Sequence, residues 1–236
     1  MNDPFGEAIQ DYFNNGTAPD ILINTNYTED ERIPVSYLFR NEDQLPNLEK
    51  TALNMCRGKV LDIGAAAGCH SLILQQKGFD TTALEISALA SGIMKKRGIQ
   101  NVIHNDIYSF SDQTYDTLLL LMNGTGIGGT IEGFKKLLAH LKNLLKKGGQ
   151  ILIDSTDISY LFEEDDGSVW ININNQNYFG EMKYEVIYKK TTLNIDWLFV
   201  DYDTLKQIAE EFELSCRLVQ KGNHFEYLAQ VQRINS

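Results

Sequence analysis

A chain of 236 residues with a formal net charge of -11 and a hydrophobic fraction of 43% is sized for one α/β domain plus an extension and can fill a core. The acidic balance argues against nucleic acid as the main partner, because phosphate binding needs a concentrated basic surface. No apolar segment is long enough to span a bilayer. Cys56, Cys69 and Cys216 are odd in number and widely spaced, so neither a disulfide framework nor a metal site is expected. The thiols suit a reducing, cytoplasmic setting, and Met1-Asn2-Asp3-Pro4 lacks the basic start and apolar run of a signal peptide.

In chain order, Phe5, Ala8, Ile9, Tyr12 and Phe13 recur at helical spacing, and Asn15-Gly16 stops the helix. Pro19, Asn24, Asn26 and Pro34 mark an irregular segment. Ser36 to Arg40 follows, then a helix over Pro46 to Met55. Residues 1–57 thus read as a helical extension, and residues 58–236 as the main domain. From Gly58 strands and helices alternate. Strands are expected over Lys59 to Ile63, Thr81 to Leu84, Asn101 to Asn105, Tyr115 to Met122 and Gln150 to Asp154. Helices are expected over Gly68 to Lys77, from the Ser87 cap to Arg97, and over Thr130 to Leu145. Lys95-Lys96-Arg97 and Lys146-Lys147 then read as cations at helix C-termini, where they offset the dipole. The leucine run Leu118 to Leu121 suits a central parallel strand covered on both faces.

Beyond strand five the character changes. Trp170 to Ile173 and Tyr178 to Lys189 read as a hairpin around Asn174-Asn175, inserted over about residues 165–192. Its aromatic stripe suits an acceptor pocket, a dimer contact or plain core packing. A helix over Asp203 to Phe212 precedes two strands, Leu214 to Val219 and Phe225 to Gln232, joined as an antiparallel hairpin. The whole predicts a doubly wound, mostly parallel, seven-stranded Rossmann-like sheet with a C-terminal antiparallel hairpin and an N-terminal helical extension.

In such sheets ligands bind at the carboxyl ends of the strands, where strand order reverses. The first strand ends in Asp62-Ile63-Gly64-Ala65-Ala66-Ala67-Gly68. Gly64 permits the sharp turn, the alanines let a ligand lie against the backbone, and Gly68 lets the next helix pack close to the strand. The spacing is Asp-x-Gly-x-x-x-Gly, not the Gly-x-Gly-x-x-Gly of dinucleotide folds, and the acid Asp62 suits a ligand bearing a cationic amine or else caps the turn. Glu85 lies about twenty residues on, where an acid accepts from ribose hydroxyls. Asp106 ends the third strand and suits an exocyclic adenine amine, with Ile86 and Ile107 against the ring.

This ordered set resembles the class I S-adenosylmethionine-dependent methyltransferases. The residues that carry the likeness are Val60 to Gly68, Ala83-Leu84-Glu85-Ile86-Ser87, Asn105-Asp106-Ile107, Tyr115-Asp116-Thr117-Leu118 and Leu144 to Leu152. The resemblance implies that S-adenosyl-L-methionine is the cofactor. It also implies that Asp62, Gly64, Ala65 and Gly68 hold the cofactor's amino acid part, and that Glu85 takes the ribose and Asp106 the adenine. Asn123 and Gly124 would lie near the reacting methyl. Asn123-Gly124-Thr125-Gly126 departs from the Asn-Pro-Pro-Tyr signature of members that methylate nucleobase or glutamine amines, which counts against those substrates; the ordered strand-end set with the acidic surface points to a small-molecule acceptor. His70, Asp154 and Tyr160 are the candidate catalytic groups, with Asp157 and His224 behind them. Tyr37 and Arg40 are candidate substrate-binding residues on a segment that can close over the site, and Arg40 suits a carboxylate of cofactor or substrate. The alternatives are a nicotinamide-dependent oxidoreductase, for which the strand-four Tyr-x-x-x-Lys pair is missing, and a non-catalytic nucleoside-binding module.

Overall fold

A computed structural model describes residues 2–111, 113–162 and 177–234. The larger sheet holds seven strands: β3 (Lys59–Ile63), β4 (Asp80–Glu85), β5 (Asn101–His104), β6 (Tyr115–Leu120), β7 (Leu145–Thr156), β10 (Leu214–Lys221) and β11 (Glu226–Arg233). Their order is β10-β11-β7-β6-β3-β4-β5. β3 to β7 run parallel, and β11 is reversed between β7 and β10. The order turns back between β3 and β6, which sets the ligand crevice at their carboxyl ends.

The core follows from the sequence pattern. Leu118, Leu119 and Leu120 are fully buried in the central strand β6. Helix α5 (Ile131–Leu144) buries Phe134, Leu137, Leu138, Leu141 and Leu144, one stripe at helical spacing, against that sheet. Each such side chain contributes about 1.5–3 kcal/mol. Helix α3 (Cys69–Gln76) follows β3, α4 (Ala88–Lys96) follows β4, and α6 (Tyr202–Glu211) precedes β10. Lys146 does not end a helix as expected. The chain has already entered β7, and the ammonium bonds Asp116 at 2.7 Å. Lys142 is the cation in the last turn of α5.

The segment before β3 is not purely helical. Besides α1 (Pro4–Asn15) and α2 (Asn47–Met55) it contains two short strands, β1 (Ile21–Asn24) and β2 (Glu31–Ile33), within the stretch read as irregular. They join β8 (Glu181–Tyr188) and β9 (Thr191–Leu198) in an antiparallel sheet of order β2-β1-β8-β9. The hairpin expected around Asn174-Asn175 falls partly outside the described residues. The Tyr178–Lys189 stretch instead pairs forward, with β9, through a turn in which Lys189 adopts φ 53°.

The second sheet is a roof. Ile21, Ile23, Val186 and Tyr188 on its inner face pack with Ala8 and Ile9 of α1 and Ile93 of α4. The same cluster takes in Ala66 and Ala67 of the glycine turn and Met122 beyond β6. The insertion and the extension therefore meet directly above the carboxyl rim.

Candidate functional site at the carboxyl rim

The turn after β3 has the backbone its residues suggested. Gly64 (φ 72°), Ala66 (φ 50°) and Gly68 (φ 79°) are left-handed. The N–H groups of Gly64 and Ala65 both donate to the Leu84 carbonyl, at 2.9 and 3.2 Å. A Cβ on Gly64 would meet only Ile127 Cδ1, at 3.3 Å, so the space over this backbone is open to a ligand. At Gly68 a Cβ would fall 2.3 Å from Ile99 Cδ1 and 2.9 Å from Met94, so the close approach there is to the end of α4, not to the strand as expected from sequence.

Three acids line the adjoining strand ends. Asp62 is buried beneath the turn and accepts from Ser71 Oγ at 2.6 Å. Burial raises its carboxyl above the usual range, against the pull of His70 and Ser71. Glu85 accepts from Ala66 N–H at 2.7 Å and Ser87 N–H at 2.9 Å, one on each oxygen. Burial pushes this carboxyl up while the amide donors hold it down. A carboxylate has about four lone-pair sites, so two remain for hydroxyl donors. Asp106, half-buried, accepts from Tyr108 N–H at 3.0 Å and starts a short 3-10 turn. Ile86 is 61% exposed at the rim, whereas Ile107 is buried in the main core.

On the other side of the crevice, Met122 and Asn123 take φ of 66° and 59°. Asp154, at the end of β7, accepts from Met122 N–H and Gly124 N–H, both at 3.2 Å. It thereby pins a loop held in an uncommon conformation. Asn123 Oδ1 accepts from Thr156 at 2.8 Å. Burial pushes Asp154 up to about 7, with the loop amides opposing and the Glu49 charge adding.

Tyr37, Arg40 and His70 come together around a residue not picked out from sequence. Glu49 of α2 accepts from Arg40 Nη2 at 2.9 Å and lies 2.6 Å from His70 Nε2. All three are buried. Arg40 Nε donates to the Tyr37 carbonyl at 2.7 Å, and its guanidinium lies over the Tyr37 ring. Arg40 Nη2 also meets Met122 Sδ at 3.5 Å, and Nη1 is buried with no hydrogen-bond partner. Burial raises Glu49, but His70 and Arg40 outweigh it and hold the carboxyl below its ordinary value. Burial lowers His70, but Cys69, Glu49 and Asp62 outweigh it and hold the imidazole well above its ordinary value. A signal for Glu49 was present: with Ala52, Leu53 and Cys56 it completes a buried helical stripe, and an acid on such a stripe has a partner.

Tyr160 lies apart from this group. It is 41% exposed and stacks on Phe225 with ring centroids 4.9 Å apart. The His224 N–H donates to Glu226 and the Asp157 carboxylate accepts from Ser159 N–H, while the Asp157 N–H donates to the Phe225 carbonyl. Among the described residues no group of three or more His, Cys, Asp or Glu could hold a metal, and no helix is long and apolar enough to cross a membrane.

A glycine turn, successive acids on neighbouring strand ends and a reversed seventh strand define the class I methyltransferase architecture. A methyltransferase-domain family model matches residues 37–219. A SAM-dependent methyltransferase from Bacteroides fragilis, solved with S-adenosyl-L-homocysteine, is 37% identical; the alignment covers 98% of this chain and 95% of that one, with a TM-score of 0.91. The chain belongs to the S-adenosylmethionine-dependent methyltransferases, and its cofactor is S-adenosyl-L-methionine. More distant structures share the fold: the CcbJ methyltransferase of Streptomyces caelestis (11% identity, 83% and 99% covered, TM-score 0.60) and an S-adenosylmethionine-dependent methyltransferase of Clostridium acetobutylicum (15%, 78% and 87%, 0.53). No curated protein sequence matches.

The residues present fit that cofactor. The open backbone at Gly64 suits its amino acid part, the spare acceptor sites of Glu85 suit a ribose, and the unpartnered Arg40 Nη1 is a buried donor in want of an anion.

Proposed function

We propose that this enzyme methylates a small molecule, by in-line displacement, in the cleft between the roof sheet and the carboxyl rim. The observation that carries the reading is the roof itself: β1, β8 and α1 pack down onto Ala66, Ala67 and Met122. A rim roofed in this way is not the open basic face a nucleic acid needs.

S-adenosyl-L-methionine supplies an electrophilic methyl group on sulfur. The protein's part is alignment and exclusion of water. In this reading Asp62, Gly64, Ala65 and Gly68 shape the amino acid subsite, and Glu85 receives the ribose hydroxyls. Asp106 and Ile86 face the adenine, with Ile107 supporting them from the core. Arg40 Nη1 takes the cofactor carboxylate, held in place by Glu49 and His70. Asn123 and Gly124 border the methyl. Asp154, lying under that loop, is the group placed to receive a proton from the acceptor.

Two measurements test this. Methyl-labelled cofactor incubated with a fractionated cell extract should label the low-molecular-weight fraction; label in the protein or nucleic acid fraction instead overturns the small-molecule reading. A chiral methyl donor should give inversion, and retention would overturn in-line transfer.

A further inference from the structure

The inner face of the roof carries one charge. The strand register puts Glu31 on the side that packs toward the glycine turn, with Ile23, Tyr184, Val186, Ile195 and Trp197. The other residues of this face are uncharged, and all but Thr191 are apolar or aromatic. The acid is directly opposite Ile23, which is opposite Val186, both fully buried. Glu31 is exposed at the sheet edge, and among the described residues no cation pairs with it.

Tyr184 shares this face with the acid. Burial raises the phenols of Tyr160 and Tyr184, and the Glu31 charge adds to it in both. Tyr184 is backed by Trp197, stacked at 5.7 Å and 18°. Trp197 in turn lies flat on Gly126 of the loop after β6, where a Cβ would fall 2.0 Å from its ring. Tyr37, 39% exposed, lies under the Arg40 guanidinium, and burial raises its phenol, with Asp154 adding a little. Lys183, beside Tyr184 in β8, is paired with Asp196, and Arg40 is held by Glu49.

We propose that the cleft binds its acceptor as an organic cation, a primary or secondary amine on an apolar scaffold, with Glu31 as counter-ion and Tyr184 and Tyr160 as ring walls; the ammonium gives one proton to Asp154, and the freed nitrogen lone pair then takes the methyl as the sulfur–methyl bond breaks to leave S-adenosyl-L-homocysteine. The chemistry is charge complementarity supported by cation–π contact. The overall charge of -11 steers such a ligand inward and repels acids. This rests on the proposed acceptor cleft and identifies what that cleft binds.

The test uses binding, not turnover. In protein saturated with S-adenosyl-L-homocysteine, phenethylamine, N-methylphenethylamine, 2-phenylethanol and 3-phenylpropionate are titrated by calorimetry. Trp197 fluorescence is followed in parallel in a Trp170→Phe protein, since the chain has two tryptophans. The two amines should bind about tenfold tighter than the alcohol, and more salt should narrow the gap. Glu31→Gln should erase the preference without changing S-adenosyl-L-homocysteine affinity, and Glu31→Asp should keep part of it. Equal binding of alcohol or acid, an amine preference that survives Glu31→Gln, or no binding of any amine by the loaded protein would each overturn the proposal. Label appearing in macromolecules would remove the cleft reading itself, a different outcome from a small-molecule enzyme that ignores amines.

Discussion

The two sheets are built in opposite ways. Each crossover of the large sheet joins strands close in sequence, and its rim acids Asp62, Glu85 and Asp106 arrive one per strand as the chain winds outward. The roof is assembled from stretches far apart in the chain, β1 and β2 before the large sheet begins and β8 and β9 after its fifth strand. Asn24 of β1 bonds Glu185 of β8 across 161 residues. The cofactor half is therefore a local construction, and the acceptor half exists only once the rest has folded. A protein so divided can change its acceptor by altering the extension and insertion while keeping the cofactor rim.

The largest expected effect lies where the halves are tied. Glu49 joins Arg40 of the extension to His70 of α3. Removing one member of a buried ionic group costs about 3–5 kcal/mol, because the remaining charges stay buried and unpaired. Glu49→Ala should lose about that much stability in urea unfolding and weaken S-adenosyl-L-homocysteine binding through Arg40. If its stability matched wild type, the tie between halves would be unimportant. Next in size, Glu85→Ala should weaken S-adenosyl-L-homocysteine by about 2–3 kcal/mol, roughly 30- to 150-fold, the loss of charge-assisted hydrogen bonds. Glu85→Asp should retain part of the affinity. A calorimetric constant unchanged by Glu85→Ala would remove this residue from the ribose subsite.

The same division governs what could be read from the sequence. The large sheet was legible because each strand announces itself by local pattern and each helix by a cap or stop such as Ser87 or Gly98. The rim acids were legible because their order follows the strands. β1 and β2 were not: Ile21-Leu22-Ile23 between prolines has no local sign of a partner, and that partner lies beyond residue 180. β9 was missed although Leu193, Ile195 and Trp197 alternate with polar residues, because the preceding aromatic stripe drew the hairpin turn to Asn174-Asn175. Glu49 escaped notice because helical position alone does not name its partners, Arg40 on a turn and His70 on another helix.

A smaller effect sharpens the contact between halves. Gly126 makes room for Trp197, so Gly126→Ala should force the indole off the loop. Overpacking of this kind costs about 1–3 kcal/mol. Near-ultraviolet circular dichroism and Trp197 emission in the Trp170→Phe background should both change while S-adenosyl-L-homocysteine affinity stays near wild type. A loss of cofactor binding equal to that of Glu85→Ala would mean that roof and rim are one unit.

The smallest expected effect is a slope. Asp154 is raised from 3.8 to about 7, chiefly by burial, so between those pH values the folded state holds a proton that the unfolded state has released. Stability must then fall as pH rises through that window. Its two oxygens accept separately, one from Met122 N–H and the other from Gly124 N–H, and asparagine offers one acceptor oxygen in place of two. Asp154→Asn should therefore keep one of the two loop bonds while abolishing the titration, a constant loss that does not change with pH. Wild type should lose stability relative to Asp154→Asn from pH 4 to 7, as measured by urea midpoints, with the gap levelling off above 7. Parallel pH curves would mean that Asp154 is charged throughout in the folded protein. It would then anchor the loop as a permanent carboxylate and could not hold a proton for an acceptor near neutral pH.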